Sequence, residues 1–396
     1  MRNGVSQWEL ANATLESPSA RIYFAQAKYY RVKIPRGLPR GFLFHSAVTY
    51  SGVGSWYYKE PAVLGNSSLY TFLFYQSFTQ AYFMSLLFLI AGYFVPASLA
   101  RKGVKKFIND RMFRLGIPAL IYIFIVNSIC IKMIHPEVNL MQRLIHGLVS
   151  FSFLDWSGPL WFALAVLIFT LIYVSMKKWC DKLLSFSFTL TVKNIFLLIA
   201  SITIVAFIIR LIFPIGTSVM NFQLCFFAAY IFMFLLGVIA YQKNFFDKID
   251  FASGKKWFLI ALGLGIPLWI PIVYFGVTRN PDLMSINLSL VGGWNLISFL
   301  YAFWESFFCV TIIIALIGIF KERFNTQNYL QQFLSANAFG VYVFHAPILV
   351  GVSLLFKTWI LPPILKCLVV AAIALPLTLL FSWMIRKIAF FHKIFS

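Results

Sequence analysis

Long apolar stretches, separated by short polar segments, run along most of this chain. A helix needs about 20 mostly apolar residues to cross the roughly 30 Å of hydrocarbon in a bilayer. The stretches that meet this requirement lie near residues 71–97, 116–134, 158–176, 195–213, 222–242, 257–277, 294–320, 338–357 and 361–385. The pattern therefore predicts an all-α integral membrane protein, a polytopic bundle with nine strong spanning helices.

The composition supports a membrane protein and argues against a nucleic-acid-binding one. Of the 396 residues, 61% are hydrophobic and 11% are charged, and the mean hydropathy is +0.83. Soluble globular domains have much more polar compositions. The net charge of +21 comes from short basic runs between apolar stretches, not from a basic amphipathic face. We therefore expect the lipid bilayer, and no nucleic acid, as a partner.

The cysteines give no sign of a disulfide framework or a metal site. They are scattered, lie mostly inside apolar stretches and form no CxxC pair. They are Cys130, Cys180, Cys225, Cys309 and Cys367. We expect no bound metal.

The segments between the apolar stretches alternate in charge. The basic segments are residues 98–115, 177–194, 243–256, 321–323 and the C-terminal tail, whereas the segments between them carry few basic residues or none. Because cytoplasmic loops are enriched in Lys and Arg, this alternation predicts that the basic segments and the C-terminus are cytoplasmic. We expect a multi-pass protein of the inner cell membrane.

The first part of the chain breaks this alternation. Residues 21–40 hold six basic residues and no acid, although the alternation would place them outside. Residues 41–58 are rich in Gly and Ser and predict only a poor spanning helix. We therefore divide the chain into an N-terminal segment, residues 1–58, with a disrupted first spanning helix, and a transmembrane domain, residues 59–396.

A few ionisable residues lie inside the apolar stretches. A charge at the centre of a spanning helix costs about 2.5–3.5 kcal/mol, so such residues are candidates for function. Glu305 is the only carboxylate well inside a stretch, and it is either functional or a hydrogen-bonded structural residue. His345, beside Tyr342, is either a substrate contact or a packing histidine. Arg210 lies at the outer end of its stretch and is expected to snorkel to the membrane interface. His45 follows the basic segment and precedes the polar sequence SAVTYSG.

Five stretches, taken in order, resemble the acyltransferase 3 family, which includes sugar O-acetylases and the succinyltransferase of periplasmic glucans. They are ARIYF…HSAVTYSGVGSWYY, LLFLIAGYFVPASLARKGVKKFINDRMFRLGIPALIY, GPLWFALAVLIFTL, FMFLLGVIAYQKNFF and ANAFGVYVFHAPILV. The second and the last are the most specific, because a basic arm that ends in RxxRLxIP between two membrane helices is an uncommon pattern.

The resemblance implies transfer of an acyl group, acetyl or succinyl, from a cytoplasmic acyl-CoA to a hydroxyl of a carbohydrate or glycolipid acceptor. The family histidine maps to His45, and an imidazole is an efficient base for a hydroxyl proton. The family RxxR maps to Arg111 and Arg114, and Arg101 is a further candidate for binding the CoA phosphates. Glu305 is a weaker catalytic candidate. The residues expected to line the substrate cavity are Trp161, Arg210, Tyr342 and His345.

The sequence departs from the family pattern at one important position. The family places an arginine eleven positions before its histidine, and that position here is Ile34. Pro35 and Pro39 would also interrupt a helix between the basic segment and His45. The segment is either a real divergence, with a re-entrant or interfacial N-terminus, or a local reading-frame shift over residues 25–43. Its charge and its prolines favour the frame shift.

The sequence is also compatible with two other interpretations. A transporter or flippase of a lipid-linked sugar or small anion would fit the number of spans, but the sequence offers few buried charges for ion coupling. A chain that has lost its first helix could also be an inactive relic of the family.

Overall fold

The structure is a computed structural model that describes residues 38–60, 64–179, 191–278, 290–323 and 328–395. These residues form a helical bundle without β-strands. The helices are α1 (Leu38–Ser51), α2 (Asn66–Lys102), α3 (Val104–Ile134), α4 (Leu140–Val149), α5 (Ser152–Ser175), α6 (Val192–Ile212), α7 (Leu224–Lys243), α8 (Phe245–Lys248), α9 (Phe251–Thr278), α10 (Leu296–Arg323), α11 (Tyr329–Leu355), α12 (Pro363–Arg386) and α13 (Ala389–Phe395).

Nine helices in the described part of the chain are long and apolar enough to cross a bilayer. They are α2, α3, α5, α6, α7, α9, α10, α11 and α12, and each overlaps one of the predicted stretches. The prediction of an all-α polytopic membrane protein is therefore confirmed. The longest, α2, has 37 residues, which corresponds to about 55 Å and exceeds the hydrocarbon thickness.

The predicted basic loop at residues 98–115 is helical on both sides of a single glycine. Helix α2 ends at Lys102 and α3 begins at Val104, with Gly103 between them at a φ of 71°. This left-handed conformation favours glycine. The prediction of a loop is therefore wrong, because one residue is enough to turn the chain.

Helix α3 is not a regular α-helix throughout. It contains two π-helical turns, at Met112–Gly116 and at Tyr122–Val126. Single π-helical turns inside α-helices occur frequently at functional sites. The first of these turns follows Arg111 directly and contains Arg114.

Helix α1 is short and partly covered by its neighbours. Its described part has 14 residues, or about 21 Å, and this part alone is too short to cross the bilayer. Pro39 is the second residue of the described part of this helix, and Pro35 lies outside the described residues, so the interruption of a helix between the basic segment and His45 stays a prediction. Phe42 and Tyr50 are each 2% exposed and pack in a cluster with residues of α2, α11 and α12. Residues 25–37 lie outside the described residues, so the frame shift remains a hypothesis.

Helices α2 and α7 approach each other through two glycines. A Cβ atom on Gly92 would lie 2.0 Å from the carbonyl oxygen of Phe234, and one on Gly237 would lie 2.1 Å from that of Leu89. Small residues allow such close backbone approach between membrane helices. The two glycines therefore set the spacing of α2 and α7.

Replacing Gly237 with alanine is expected to lower the free energy of unfolding by about 1–3 kcal/mol, because the added methyl group would displace backbone atoms of α2. Denaturant unfolding of the purified protein in detergent would measure this. Gly263→Ala is the matched control, since a Cβ there has no atom within 4 Å. Equal stability of the two variants would contradict the prediction.

Candidate functional site

Two histidines that are far apart in the sequence meet inside the bundle. The ring centroids of His45, on α1, and His345, on α11, lie 5.1 Å apart, with an angle of 29° between the ring planes. The ring of Trp56 stacks on His45 at 4.0 Å and lies 5.8 Å from His345. The three rings form one aromatic cluster, which we call the histidine site.

One ring nitrogen of each histidine has no hydrogen-bond partner in the described part of the protein. His345 is 5% exposed, and its Nδ1 donates a hydrogen bond to the carbonyl oxygen of Tyr342 at 2.8 Å. This bond fixes the proton on Nδ1 and leaves a lone pair on Nε2. Both Nε2 of His345 and Nδ1 of His45 are buried and have no hydrogen-bond partner in the described part of the protein. A free, positioned imidazole nitrogen is what a general base requires.

A hydrogen-bond network extends from this site toward α4. The Tyr57 hydroxyl accepts hydrogen bonds from Asn127 Nδ2 at 2.8 Å and from the Tyr122 hydroxyl at 3.2 Å. Asn127 Oδ1 in turn accepts from Arg143 Nη2 at 2.7 Å, and the Arg143 guanidinium lies 3.6 Å from the ring centroid of Trp156. The network joins the segment after α1 to α3, α4 and α5. None of its members was predicted, because Tyr122 and Asn127 are isolated polar residues in an apolar stretch and Arg143 is an isolated charge in the segment that follows it.

Tyr342 lies beside the histidine site, as its sequence position suggested. Its ring centroid is 6.4 Å from that of His345, and its hydroxyl donates to the carbonyl oxygen of Pro159. Gly158, at a φ of 47°, allows this close packing, because a Cβ there would lie 2.6 Å from the Tyr57 hydroxyl. A role for Tyr342 in lining a substrate cavity remains a prediction.

Arg111 and Arg114 lie together near the start of α3. They are three residues apart and therefore neighbours on the helix surface. Arg111 is partly buried, with its guanidinium 5.2 Å from the ring centroid of Phe107, and Arg114 is exposed. Arg111 forms no ion pair with any carboxylate among the described residues. Tyr122 lies eight residues after Arg114, or about 12 Å along the same helix. Helix α3 thus connects the arginines to the network at the histidine site.

Arg101 and Trp161 lie away from the histidine pair. Arg101 is exposed in the last turn of α2, before the turn at Gly103. Trp161 stacks on Tyr230, with ring centroids 5.8 Å apart. The ring centroid of Phe162, the next residue in the sequence, lies 6.4 Å from that of Tyr342. Trp161 is therefore the sequence neighbour of a residue that packs near Tyr342.

Arg210 does not snorkel to the interface, so that prediction is wrong. It is 0% exposed, and its Nη2 donates to Glu305 Oε2. Its Nε also donates to the carbonyl oxygen of Cys225 at 3.4 Å, and its guanidinium lies 5.8 Å from the ring centroid of Tyr301. A carboxylate on the neighbouring helix α10 compensates the buried charge, so the side chain does not need to reach water.

The structure does not bring Glu305 to the histidine site. Its electrostatic neighbours on other helices include Arg210, Cys225 and Tyr230, on α6 and α7. Helix α10 packs on α2, α6 and α9, whereas α1 packs on α2, α11 and α12. Glu305 and Arg210 therefore form a second polar cluster, separate from His45 and His345.

These features define an integral membrane protein with an imidazole pair suited to accepting a proton and an arginine pair suited to binding an anion. Residues 42–387 match the family described as an acyltransferase domain. The chain belongs to the acyltransferase 3 family and is a membrane acyltransferase. No curated protein and no solved structure matches the chain significantly. The resemblance found in five stretches is confirmed, and the match begins at Phe42, after most of the basic segment.

Proposed function

We propose that the protein transfers an acyl group, acetyl or succinyl, from acyl-CoA to a hydroxyl of a carbohydrate or glycolipid in the cell envelope. The observation that carries the proposal is the contact between His45 and His345, each with a buried ring nitrogen that no described residue engages. The protein would act in the inner membrane, with its basic segments and C-terminus in the cytoplasm.

In the proposed reaction, His45 removes the proton from the acceptor hydroxyl. The hydroxyl oxygen forms a bond to the thioester carbonyl carbon, the bond from carbon to sulfur breaks, and the CoA thiolate leaves with a proton from the imidazolium. Two imidazoles 5.1 Å apart disfavour double protonation. At least one ring therefore stays neutral and able to accept the proton. His345, whose Nε2 carries a lone pair, orients the acceptor by accepting a hydrogen bond from a second hydroxyl.

The arginine pair supports acyl-CoA as the donor. Arginine presents a planar set of donors that matches phosphate oxygens, and Arg111 and Arg114 stand side by side on α3. Because α3 also carries Tyr122, the bound donor would extend along this helix toward the histidine site. Arg101 is the third candidate for a phosphate contact.

Replacing both Arg111 and Arg114 with alanine is expected to weaken acetyl-CoA binding by about 10- to 100-fold or more. A hydrogen bond to a charged group contributes about 1.5–3 kcal/mol, and each 1.4 kcal/mol is about a factor of ten. Calorimetric titration of the purified protein with acetyl-CoA would measure the change. Lys105→Ala removes an exposed charge from the same helix and is expected to have a much smaller effect. Unchanged affinity in the double variant would contradict the donor assignment.

The proposed function itself is tested by acyl transfer in reconstituted vesicles. Labelled acetyl-CoA or succinyl-CoA is supplied with carbohydrate acceptors, and label in the carbohydrate is the expected result. A second form, in which an apolar first helix with an arginine eleven positions before His45 replaces the basic segment, is tested in parallel. Transfer by this form alone would indicate that the present chain is an inactive relic. Absence of transfer by both forms would reject the proposal.

A transporter of a lipid-linked sugar or small anion is the second candidate. The Arg210–Glu305 pair favours it, because buried charges inside a membrane bundle often mark transport pathways. Counterflow of a labelled sugar in vesicles without acyl-CoA would support transport, and it is not expected of the proposed acyltransferase.

A further inference from the structure

A second group of polar side chains lies further along the two helices that carry the histidine site. Tyr50 follows His45 by five residues on α1, and Ser353 follows His345 by eight residues on α11. These separations correspond to about 8 Å and about 12 Å along the helix axes. Glu60, in the segment that follows α1, belongs to the same group of polar side chains. The group therefore lies on one side of the histidine site, between α1, α11 and α12.

A buried ion pair organises this group. Lys366, which is 2% exposed, donates from Nζ to Glu60 Oε1 at 2.6 Å. The same ammonium donates to the carbonyl oxygens of Trp359 at 2.8 Å and Lys357 at 3.4 Å. The backbone N–H of Glu60 donates to the Thr49 carbonyl oxygen at 2.9 Å, which attaches Glu60 to the end of α1. The lysine thus has three acceptors, whereas only the Oε1 atom of the Glu60 carboxylate is occupied by a described residue.

Two polar atoms of the group are available to a ligand, beside a pair of hydroxyls. The Oε2 atom of Glu60 and the Tyr58 hydroxyl are buried and have no hydrogen-bond partner among the described residues. The hydroxyls of Tyr50 and Ser353 are also buried, and they lie within hydrogen-bonding reach of each other. The Tyr50 hydroxyl faces Ser353 and lies close to Glu60 and Tyr58. The Glu60 side chain is 17% exposed, so the group is not sealed from its surroundings. Because unpaired buried polar groups are costly, the free atoms of Glu60 and Tyr58 beside the hydroxyls of Tyr50 and Ser353 indicate a binding site.

The chemistry of these atoms indicates the class of ligand. A carboxylate oxygen accepts hydrogen bonds only, whereas each hydroxyl both donates and accepts. The set therefore suits a ligand with several hydroxyl groups. Lys366 already balances the charge of Glu60, and a negatively charged ligand would face the free carboxylate oxygen. The site favours a neutral polyhydroxyl compound over an anion.

We propose that Glu60, Tyr50, Tyr58 and Ser353 bind a neutral sugar unit. The role of this sugar unit as part of the acyl acceptor rests on the proposed function. In that role, the site holds one unit of the acceptor while a hydroxyl of the same or the adjoining unit reaches His45. The site is a specificity-determining one, since its residues touch the sugar but not the reacting thioester.

Sugar binding is tested directly, without acyl transfer. Saturation-transfer difference NMR is recorded on the detergent-solubilised protein with glucose, N-acetylglucosamine and maltotriose. Tyr58→Phe and Ser353→Ala are each expected to weaken binding by about 2- to 10-fold, the effect of one neutral hydrogen bond. The double variant Glu60→Gln, Lys366→Met is expected to weaken it by about 10- to 100-fold, because a charged acceptor is lost. It removes both charges together, so neither is left buried alone.

Stability separates a binding role from a structural one. Removing an unpaired buried hydroxyl is expected to leave the melting temperature unchanged or to raise it, so Tyr58→Phe would lose sugar but not stability. Lys59→Gln, at an exposed neighbouring position, is the control and is expected to bind like the wild type. Absence of binding to all three sugars, or equal binding by all variants, would overturn the inference. Sugar binding without acyl transfer by either form of the protein would support the site and contradict the proposed function. Acyl transfer with unaltered sugar binding in every variant would support the proposed function and contradict the site.

Discussion

Replacing His45 with alanine is expected to lower the rate of acyl transfer by about 10²- to 10⁴-fold, the range that a positioned general base contributes. The imidazole lies 5.1 Å from His345 and 4.0 Å from Trp56, measured between ring centroids. Its Nδ1 is engaged by no group in the described structure. Removal of the ring therefore deletes a base without breaking a structural hydrogen bond of that atom.

The measurement is the rate at saturating acetyl-CoA, together with the affinity for acetyl-CoA. The rate is expected to fall. The affinity for acetyl-CoA is expected to stay within a factor of about two, because Arg111 and Arg114 lie about 12 Å or more along α3 from Tyr122, which belongs to the network beside the histidine site. His146→Ala, at an exposed position on α4, is the control. A greater loss in His345→Ala than in His45→Ala would transfer the role of base to His345. Full activity in both variants would exclude a histidine base.

The spanning helices could be predicted because the signal is local. A run of apolar residues long enough to cross the bilayer is visible without knowledge of its neighbours. The turn between α2 and α3 was not visible in the same way. Loop charge predicts the side of the membrane but not the backbone conformation, so residues 98–115 looked like a loop although only Gly103 separates the two helices.

The candidate site was predictable only in part. The family pattern identified His45, Arg111 and Arg114, since these residues belong to short motifs. It could not bring His345 to His45, because their contact depends on how α1 packs against α11. The stacking of Trp56 had only a weak signal, the aromatic run in GSWYY after α1.

The error at Arg210 has a related cause. A single sequence shows how far an arginine lies from the end of its helix, but not which carboxylate the next helix presents. Glu305 lies 95 positions away in the chain, and the two residues become partners only in the packed bundle. The same packing removes Glu305 from the histidine site. The structure therefore links two candidates that the sequence had treated separately.

The Arg210–Glu305 pair leads to the second large expected effect. Glu305→Ala is expected to lower the free energy of unfolding by about 3–5 kcal/mol, because it leaves the charge of Arg210 buried without its partner. The double variant Arg210→Met, Glu305→Leu removes both charges and is expected to recover most of this loss. Thermal and denaturant unfolding in detergent would measure both variants. Asp110→Ala, which breaks the more exposed pair with Lys102, is expected to change stability little.

Measurements on the double variant also distinguish a structural role of the Arg210–Glu305 pair from a catalytic one. If it is stable and transfers acyl groups at the wild-type rate, the pair is structural, and the prediction of Glu305 as a catalytic residue is wrong. If it is stable but inactive, the charges themselves are needed, because the fold no longer depends on them. A double variant as unstable as Glu305→Ala would show that the two charges do not compensate each other, contrary to the geometry of the pair. Stability and activity must therefore be measured on the same preparation, since either one alone would leave the structural and catalytic roles of Glu305 confounded.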